Sequence, residues 1–318
     1  MPRIALLVPC YNEEDTIGKV VHDFKALDPD LAIYVYDNNS QDRTSEVAAS
    51  AGAIVRKEYR QGKGFVIRSM FRDIDADVYL MVDGDDTYDA AETYALARDV
   101  LDGRADMVVG DRLSSTYFIE NKRPFHNSGN RMVRGLINSL FGSKIRDVMT
   151  GARAFSRRFV KSYASLVGGF EIETEMTINA LDKHFLVTQH PVTYSDRKKG
   201  ASKVNTFVDG GRIIKIIFAL FKDYRPLQFF GCTAAILFII GFVLFLRPLF
   251  EYFETGLVSH MPTLVTSVFL MMAALMAFIS GIILDSIRKQ TRTFFELYLN
   301  QICDETTNNK PEESSNES

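Results

Sequence analysis

The stretch Val78-Tyr-Leu-Met-Val82-Asp83-Gly84-Asp85-Asp86-Thr87-Tyr88 sets a continuous apolar run directly against a cluster of carboxylates. Valine at both ends and an aromatic inside suit a buried strand, and the Asp/Gly run ends it. Working outward, the same pattern recurs. Ile4 to Val8 leads into Pro9-Cys-Tyr-Asn-Glu-Glu14, and Leu31 to Tyr36 leads into Asp37-Asn-Asn-Ser-Gln-Asp42. Shorter apolar runs lie at Ala53 to Val55 and Met107 to Val109, and helix-like stretches intervene at Asp15 to Leu27, Arg43 to Ala51, Gly64 to Ile74 and Ala90 to Leu101. This alternation predicts an α/β fold with a mostly parallel sheet flanked by helices. In such open sheets ligands bind beyond the carboxyl ends of the strands, where the three acidic loops fall.

Clustered carboxylates on a strand-end loop suit Mg2+ or Mn2+, which take hard oxygen ligands and bridge to substrate phosphates. The same Asp and Gly residues also suit a turn that caps the next helix; the matching acidic loops after the other strands favour the site. Gln61-Gly-Lys63-Gly64 lacks the spacing of a phosphate loop and reads as one cation at a helix start. The basic segment Arg197-Lys-Lys-Gly-Ala-Ser-Lys203 suits anionic lipid, a phosphorylated ligand or plain solvation. Glu171, Glu173 and Glu175 share one face if extended and separate if helical. No histidine has metal-ligand spacing, and Cys10, Cys232 and Cys303 show neither CxxC spacing nor a disulfide framework.

Composition hides two regimes. The 318 residues have a net charge of -3 and are 47% hydrophobic, and the sequence pI near 6.0 argues against nucleic-acid binding. Between Pro226 and Leu284 the only charged residues are Arg247, Glu251 and Glu254. Leu227 to Leu246 and Pro262 to Leu284 each reach the length that crosses about 30 Å of hydrocarbon as a helix. Arg212, Lys215, Lys222 and Arg225 precede the first and Arg288, Lys289 and Arg292 follow the second, which predicts cytoplasmic termini and a short external loop. The expected organisation is a catalytic domain over 1–205, an amphipathic juxtamembrane helix over 206–225, spans over 226–247 and 261–285, and a cytoplasmic tail over 286–318, disordered from about 304. That end, Asp304 to Ser318, holds five acids and one lysine, so the remaining chain carries 36 basic and 35 acidic residues.

The ordered motifs from Val8-Pro-Cys-Tyr-Asn-Glu-Glu14 through Asp83-Gly-Asp-Asp86 to Gly200-Ala-Ser-Lys203 resemble family 2 glycosyltransferases of the GT-A, Rossmann-like fold. The resemblance is to the polyprenyl-phosphate sugar transferases, including dolichyl-phosphate mannose synthases and bactoprenol glucosyltransferases. It implies that Pro9, Tyr11, Glu13, Val35 and Asp37 form the nucleoside pocket, that Asp83 and Gly84 adjoin the nucleotide, and that Lys63 adds a cation. It places the metal on Asp85, with Thr87 as a second ligand, and phosphate or acceptor contacts on Arg112, Arg123, Arg153, Arg197 and Lys203. Asp85 is then catalytic through its metal, and Asp147 stands near the acceptor as either a base or a support for Arg146 or Arg153.

The function implied is inverting transfer of one hexose from a nucleotide diphosphate sugar to a polyprenyl phosphate such as undecaprenyl phosphate. UDP-glucose is the first choice of donor, then UDP-N-acetylglucosamine, with GDP-mannose also open. A homo-oligomer is compatible with this reading, and a separate flippase would carry the product outward. Two features depart from the family pattern: Asn38 follows Asp37 where many members have a second Asp, and the chain contains no Trp and so no QxxRW motif of processive polymerases. A lipid-hydroxyl acceptor such as diacylglycerol is the alternative activity, and a non-catalytic nucleotide-sugar-binding or recruiting module the alternative class.

Overall fold

A computed structural model describes residues 2–114, 124–164, 168–169, 171–195, 218 and 221–308. The chain divides into two compact units, 1–206 with 298–318 and 207–297. The first is built on a seven-stranded sheet of β1 (Ile4–Cys10), β2 (Ala32–Asp37), β3 (Ile54–Lys57), β4 (Val78–Met81), β5 (Met107–Asp111), β6 (Arg153–Ser156) and β7 (Val187–Pro191), ordered β3-β2-β1-β4-β6-β5-β7. All neighbouring pairs are parallel except those of β6, which runs antiparallel to both β4 and β5. The mostly parallel sheet expected from the sequence is present.

Helices α1 (Ile17–Leu27), α2 (Thr44–Ser50), α3 (Lys63–Asp73), α4 (Ala90–Ala95) and α5 (Ala97–Leu101) connect the strands as the alternation predicts. Later come α6 (Pro124–Phe141), α7 (Arg157–Ser162) and α8 (Ile172–Asp182). Leu6, Val8, Val35, Leu80 and Val108 are fully buried in one core with Ile17, Val21 and Phe24 of α1. Strands buried on both faces read as unbroken apolar runs, which is why β1 and β4 were so conspicuous.

Register explains where the site lies. Cys10 pairs with Asp37, and Met81 pairs with Leu7 on one side and Arg153 on the other. The loops after β1, β2, β4 and β5 therefore leave the sheet at one edge. Because β6 is reversed, the segment before it, which carries Asp147, reaches that same edge.

In the second unit, α9 (Pro226–Thr255) begins with Pro at its first turn and ends at Gly256, whose φ of 68° terminates it. Helix α10 (Met261–Asn308) follows. Both are long and apolar enough to cross a membrane, with mean hydropathies of 2.6 and 2.4 over their best windows. Both outrun the expected spans: α9 continues past 247, and α10 continues past 285. Helix α10 runs on to Asn308. Continuous i→i−4 bonding carries each helix past the point where its apolar run stops. Residues 309–318 lie outside the described residues, as does most of the expected amphipathic helix. His260, in the link between the helices, has Nδ1 2.8 Å from Glu251 Oε2 and Nε2 3.3 Å from Arg247 Nη2, which ties the link back to the end of α9.

Candidate active site

The acidic loops are laced together by short side chains. The Asn12 N–H donates to Ser40 Oγ (2.9 Å), the Gln41 N–H to Asn12 Oδ1 (2.8 Å) and the Glu13 N–H to Thr44 Oγ1 (2.8 Å). The Thr16 hydroxyl donates to the Gly84 carbonyl (2.7 Å), tying the first loop to the third. Asn12 and Asn39 take positive φ (54° and 64°), a conformation that asparagine tolerates better than most residues. Asp37 is buried and accepts from the Ser40 N–H (2.9 Å) and the Ser45 hydroxyl (2.7 Å).

Asn38, the departure noted in the sequence, has a specific task. Its amide nitrogen donates to the carbonyls of Glu58 (2.9 Å) and Arg60 (2.8 Å), and its Oδ1 accepts from the Gly62 N–H (2.7 Å). An aspartate has no hydrogen to give those carbonyls. Asn38→Asp is expected to cost about 1–3 kcal/mol through the unmade bonds, seen as a lower denaturation midpoint and a loosened 58–62 loop in hydrogen exchange.

Two of the three aspartates after β4 are held by lysines. Asp83 Oδ1 lies 2.5 Å from Lys63 Nζ, whose other partner is Glu173 Oε1 at 2.5 Å, and Asp86 Oδ1 accepts from Lys19 Nζ at 2.7 Å. Burial disfavours the Lys63 ammonium, but the charges of Asp83 and Glu173 outweigh that and raise its pKa. Asp85 accepts from the buried Thr87 hydroxyl at 2.7 Å. Thr87 thus sits behind Asp85 and orients it. Glycine at 84 and 151 lets the loop pack: a Cβ at Gly84 would stand 2.6 Å from Cys10 Sγ, and one at Gly151 2.2 Å from Asp83 Oδ2. Burial, with the charges of Glu13, Asp37, Asp83 and Asp85 added, pushes the Cys10 thiol far up. Those four carboxylates act on one point at the end of β1.

At the other side of the same edge, Arg112 grips Asp147 through two bonds of 2.7 and 3.0 Å, and its guanidinium lies 5.5 Å from the Tyr194 ring centroid. The Met149 N–H also donates to Asp147 (3.2 Å). Tyr88 accepts the Gly151 N–H (2.9 Å), and burial pushes its hydroxyl up to about 12.

Sequence-expected positions fare differently. Pro9 is partly buried beside the first loop, Tyr11 is 36% exposed, and Glu13, Asp37, Asp83, Gly84 and Asp85 converge with them. Val35, two residues before Asp37 on β2, has its side chain fully buried in the core. Arg153 is corrected. It is wholly buried and donates to the carbonyls of Thr150 and Val148 and to the Thr177 hydroxyl, so its cation balances Glu173 and Asp147 inside the protein instead of facing a phosphate. Arg123, Arg197 and Lys203 lie outside the described residues. Glu173, one of three glutamates of ambiguous period and a candidate base for the lipid-hydroxyl alternative, lies on the helix α8 and turns inward to Lys63.

Among the described residues, no three His, Cys, Asp or Glu side chains are grouped as a metal cage. Asp85, whose carboxylate accepts from the Thr87 hydroxyl, supplies the hard oxygen that suits a Mg2+ or Mn2+ ion completing its shell with water and diphosphate oxygens.

Comparison with known proteins agrees with this arrangement. Residues 5–164 match the pattern described as Glycosyl transferase family 2. Glycosyltransferase AglJ of Haloferax volcanii is 31% identical over 306 residues, covering 92% of this chain and 98% of that protein. The dolichyl-phosphate hexose transferase of the same organism is 29% identical over 222 residues, covering 70% of this chain and 95% of its own. Glucosyl-3-phosphoglycerate synthase from Mycobacterium tuberculosis, solved with Mn2+, UDP and glucosyl-3-phosphoglycerate, shares the fold with a TM-score of 0.55 at 18% identity, over 70% of this chain and 79% of that one. With its strand order, its acidic strand ends and a family match from β1 through β6, the chain belongs to glycosyl transferase family 2, in the GT-A architecture.

Proposed function

We propose that this glycosyltransferase moves one hexose from a nucleotide diphosphate sugar, UDP-glucose first and UDP-N-acetylglucosamine next, to a polyprenyl phosphate at the cytoplasmic face of a membrane. The observation that carries the choice of acceptor is the state of the candidate bases. Asp147 is held in a two-bond ion pair by Arg112, and Glu173 is buried against Lys63. A sugar or lipid hydroxyl needs a base to take its proton, whereas a phosphate monoester, with a second pKa near 6, is largely ionised at neutral pH. A site whose carboxylates are paired with cations suits an acceptor that arrives already charged.

In this reading Tyr11, Glu13 and Asp37 border the nucleoside and Asp83 adjoins it, with Asp85 presenting its carboxylate toward the diphosphate. A bound Mg2+ or Mn2+ would neutralise charge on the departing diphosphate. Arg112, in a planar fork already oriented by Asp147, adds positive charge where the acceptor phosphate meets the sugar. A phosphate oxygen attacks the anomeric carbon in line as the bond to the diphosphate breaks, which inverts that centre. The two apolar helices would keep the enzyme at the surface where its lipid substrate resides, and the dolichyl-phosphate hexose transferase relative supports that acceptor class.

Two results test the acceptor. Asp147→Asn, which keeps one hydrogen-bonding face toward Arg112, is expected to retain turnover within about fivefold, since no base is being removed. A loss of a hundredfold or more with folding intact, together with sugar transfer by the wild type to a lipid hydroxyl, would favour the lipid-hydroxyl alternative. The product formed with undecaprenyl phosphate should release its sugar in mild acid, as a glycosyl phosphate does, whereas a glycosylated diacylglycerol would survive.

A further inference from the structure

Lys63 is shared by two carboxylates, and the sharing is built into the backbone. The side chains of Lys63 and Glu173 are 9% and 7% exposed, while Asp83 is 27% exposed. The trio therefore carries one net negative charge with its open side at Asp83. Gly62 takes a φ of 135°, and a Cβ there would stand 2.1 Å from the Gly168 carbonyl oxygen, which accepts the Gly64 N–H at 3.1 Å. The first turn of α3 is thus sewn to the segment before α8, and Lys63 and Glu173 are brought face to face. On the far side, Gly151 leaves room for the Asp83 carboxylate.

A lysine that only neutralised Asp83 would need no second partner. Glu173 is also poorly placed as a base, being buried and already bonded to an ammonium. We infer that Glu173 is a positioning residue for donor binding: it holds part of the Lys63 ammonium and so keeps Asp83 a strong hydrogen-bond acceptor toward the nucleoside. This rests on the reading that Asp83 adjoins the nucleotide. Without the charge at 173, Lys63 gives itself wholly to Asp83, and the aspartate's remaining acceptor strength falls. Donor affinity is then set in part by a residue on a helix behind the site.

The test is a double-mutant cycle on nucleotide binding, measured by calorimetry on the purified full-length protein in detergent with Mg2+. The probe is whichever of UDP and GDP the wild type binds. Glu173→Gln is expected to weaken binding about tenfold, the size of one charge-assisted hydrogen bond, and to raise the donor KM by a similar factor with kcat within about twofold. In an Asp83→Asn background the same change should have less than about a twofold effect, because the group it acts through is gone. Wild-type affinity in Glu173→Gln, or an equal loss in both backgrounds, overturns the inference while leaving the donor site intact. Unchanged affinity in Asp83→Asn alone, or no binding of either nucleotide by the wild type, overturns the donor-site reading and this inference with it. Should Glu173→Gln fail to fold, Glu173→Asp keeps the charge but withdraws it from Lys63, and the same cycle with the same outcomes applies.

Discussion

Asp85→Ala is expected to lower metal-dependent turnover by about a hundred- to a thousandfold while leaving the fold intact. The Asp85 carboxylate stands in the loop after β4 and is oriented by the hydroxyl of the buried Thr87. Removing it leaves the ion with only diphosphate and water. The departing diphosphate loses a charge stabiliser, a loss that for a single preorganised group commonly reaches a factor of about a hundred to a thousand, or roughly 3–4 kcal/mol. The fold should tolerate the change because Asp85 is only partly buried. The check is an initial-rate titration with Mn2+ at saturating donor, beside a thermal melt. Thr87→Val should sit between wild type and Asp85→Ala, since it loosens the carboxylate without removing it. Full activity in Asp85→Ala would remove the metal from this residue.

The second large effect is on stability. Lys63→Met removes one cation from between two carboxylates and leaves Glu173 buried without its ammonium partner. Breaking a buried pair from one side costs about 3–5 kcal/mol, because the abandoned charge keeps its desolvation penalty and loses its attraction. For a unit of this size that corresponds to a fall of roughly 10 °C in melting temperature. Lys63→Arg, which keeps the charge, should recover most of the loss. The double change Lys63→Met with Glu173→Gln should also be less damaging than Lys63→Met alone, since it withdraws one of the orphaned charges. A Lys63→Met protein that melts with the wild type would show that the trio is solvated and carries no weight.

Legibility in the sequence followed burial. Strands β1, β2 and β4 are covered on both faces, so they appear as apolar runs, and the change from apolar to acidic marks where each leaves the sheet. The short β6 strand did not announce itself. Its residues Arg153, Ala154, Phe155 and Ser156 lack an apolar run, and only the pairing to Met81 and Val109 makes them a central strand. That also explains the error at Arg153. An arginine in a basic series looks like a phosphate ligand, whereas on a central strand it is enclosed on both sides and can only bond inward. Val35 lies two residues before Asp37 on a strand whose residues enter the core, so its own side chain is buried there. Glu173 was legible as an acid but not as a partner of Lys63, because a contact 110 residues apart leaves no local signal.

Charge is similarly divided. The sheet unit pairs charges at its strand ends, as in Lys63 with Asp83 and Arg112 with Asp147, whereas between Pro226 and Leu284 the only charged residues are Arg247, Glu251 and Glu254. The proposed enzyme needs both parts, one to cleave a water-soluble donor and one to stay beside a lipid acceptor.

The most direct test is incubation of the purified full-length protein with undecaprenyl phosphate, Mg2+ or Mn2+, and each of a panel of labelled nucleotide sugars. The expected result is one donor whose label passes into a chloroform-soluble, mild-acid-labile product, with transfer lost on chelation of the metal. Failure of every donor to give such a product, or equal transfer with chelator present, would contradict the account.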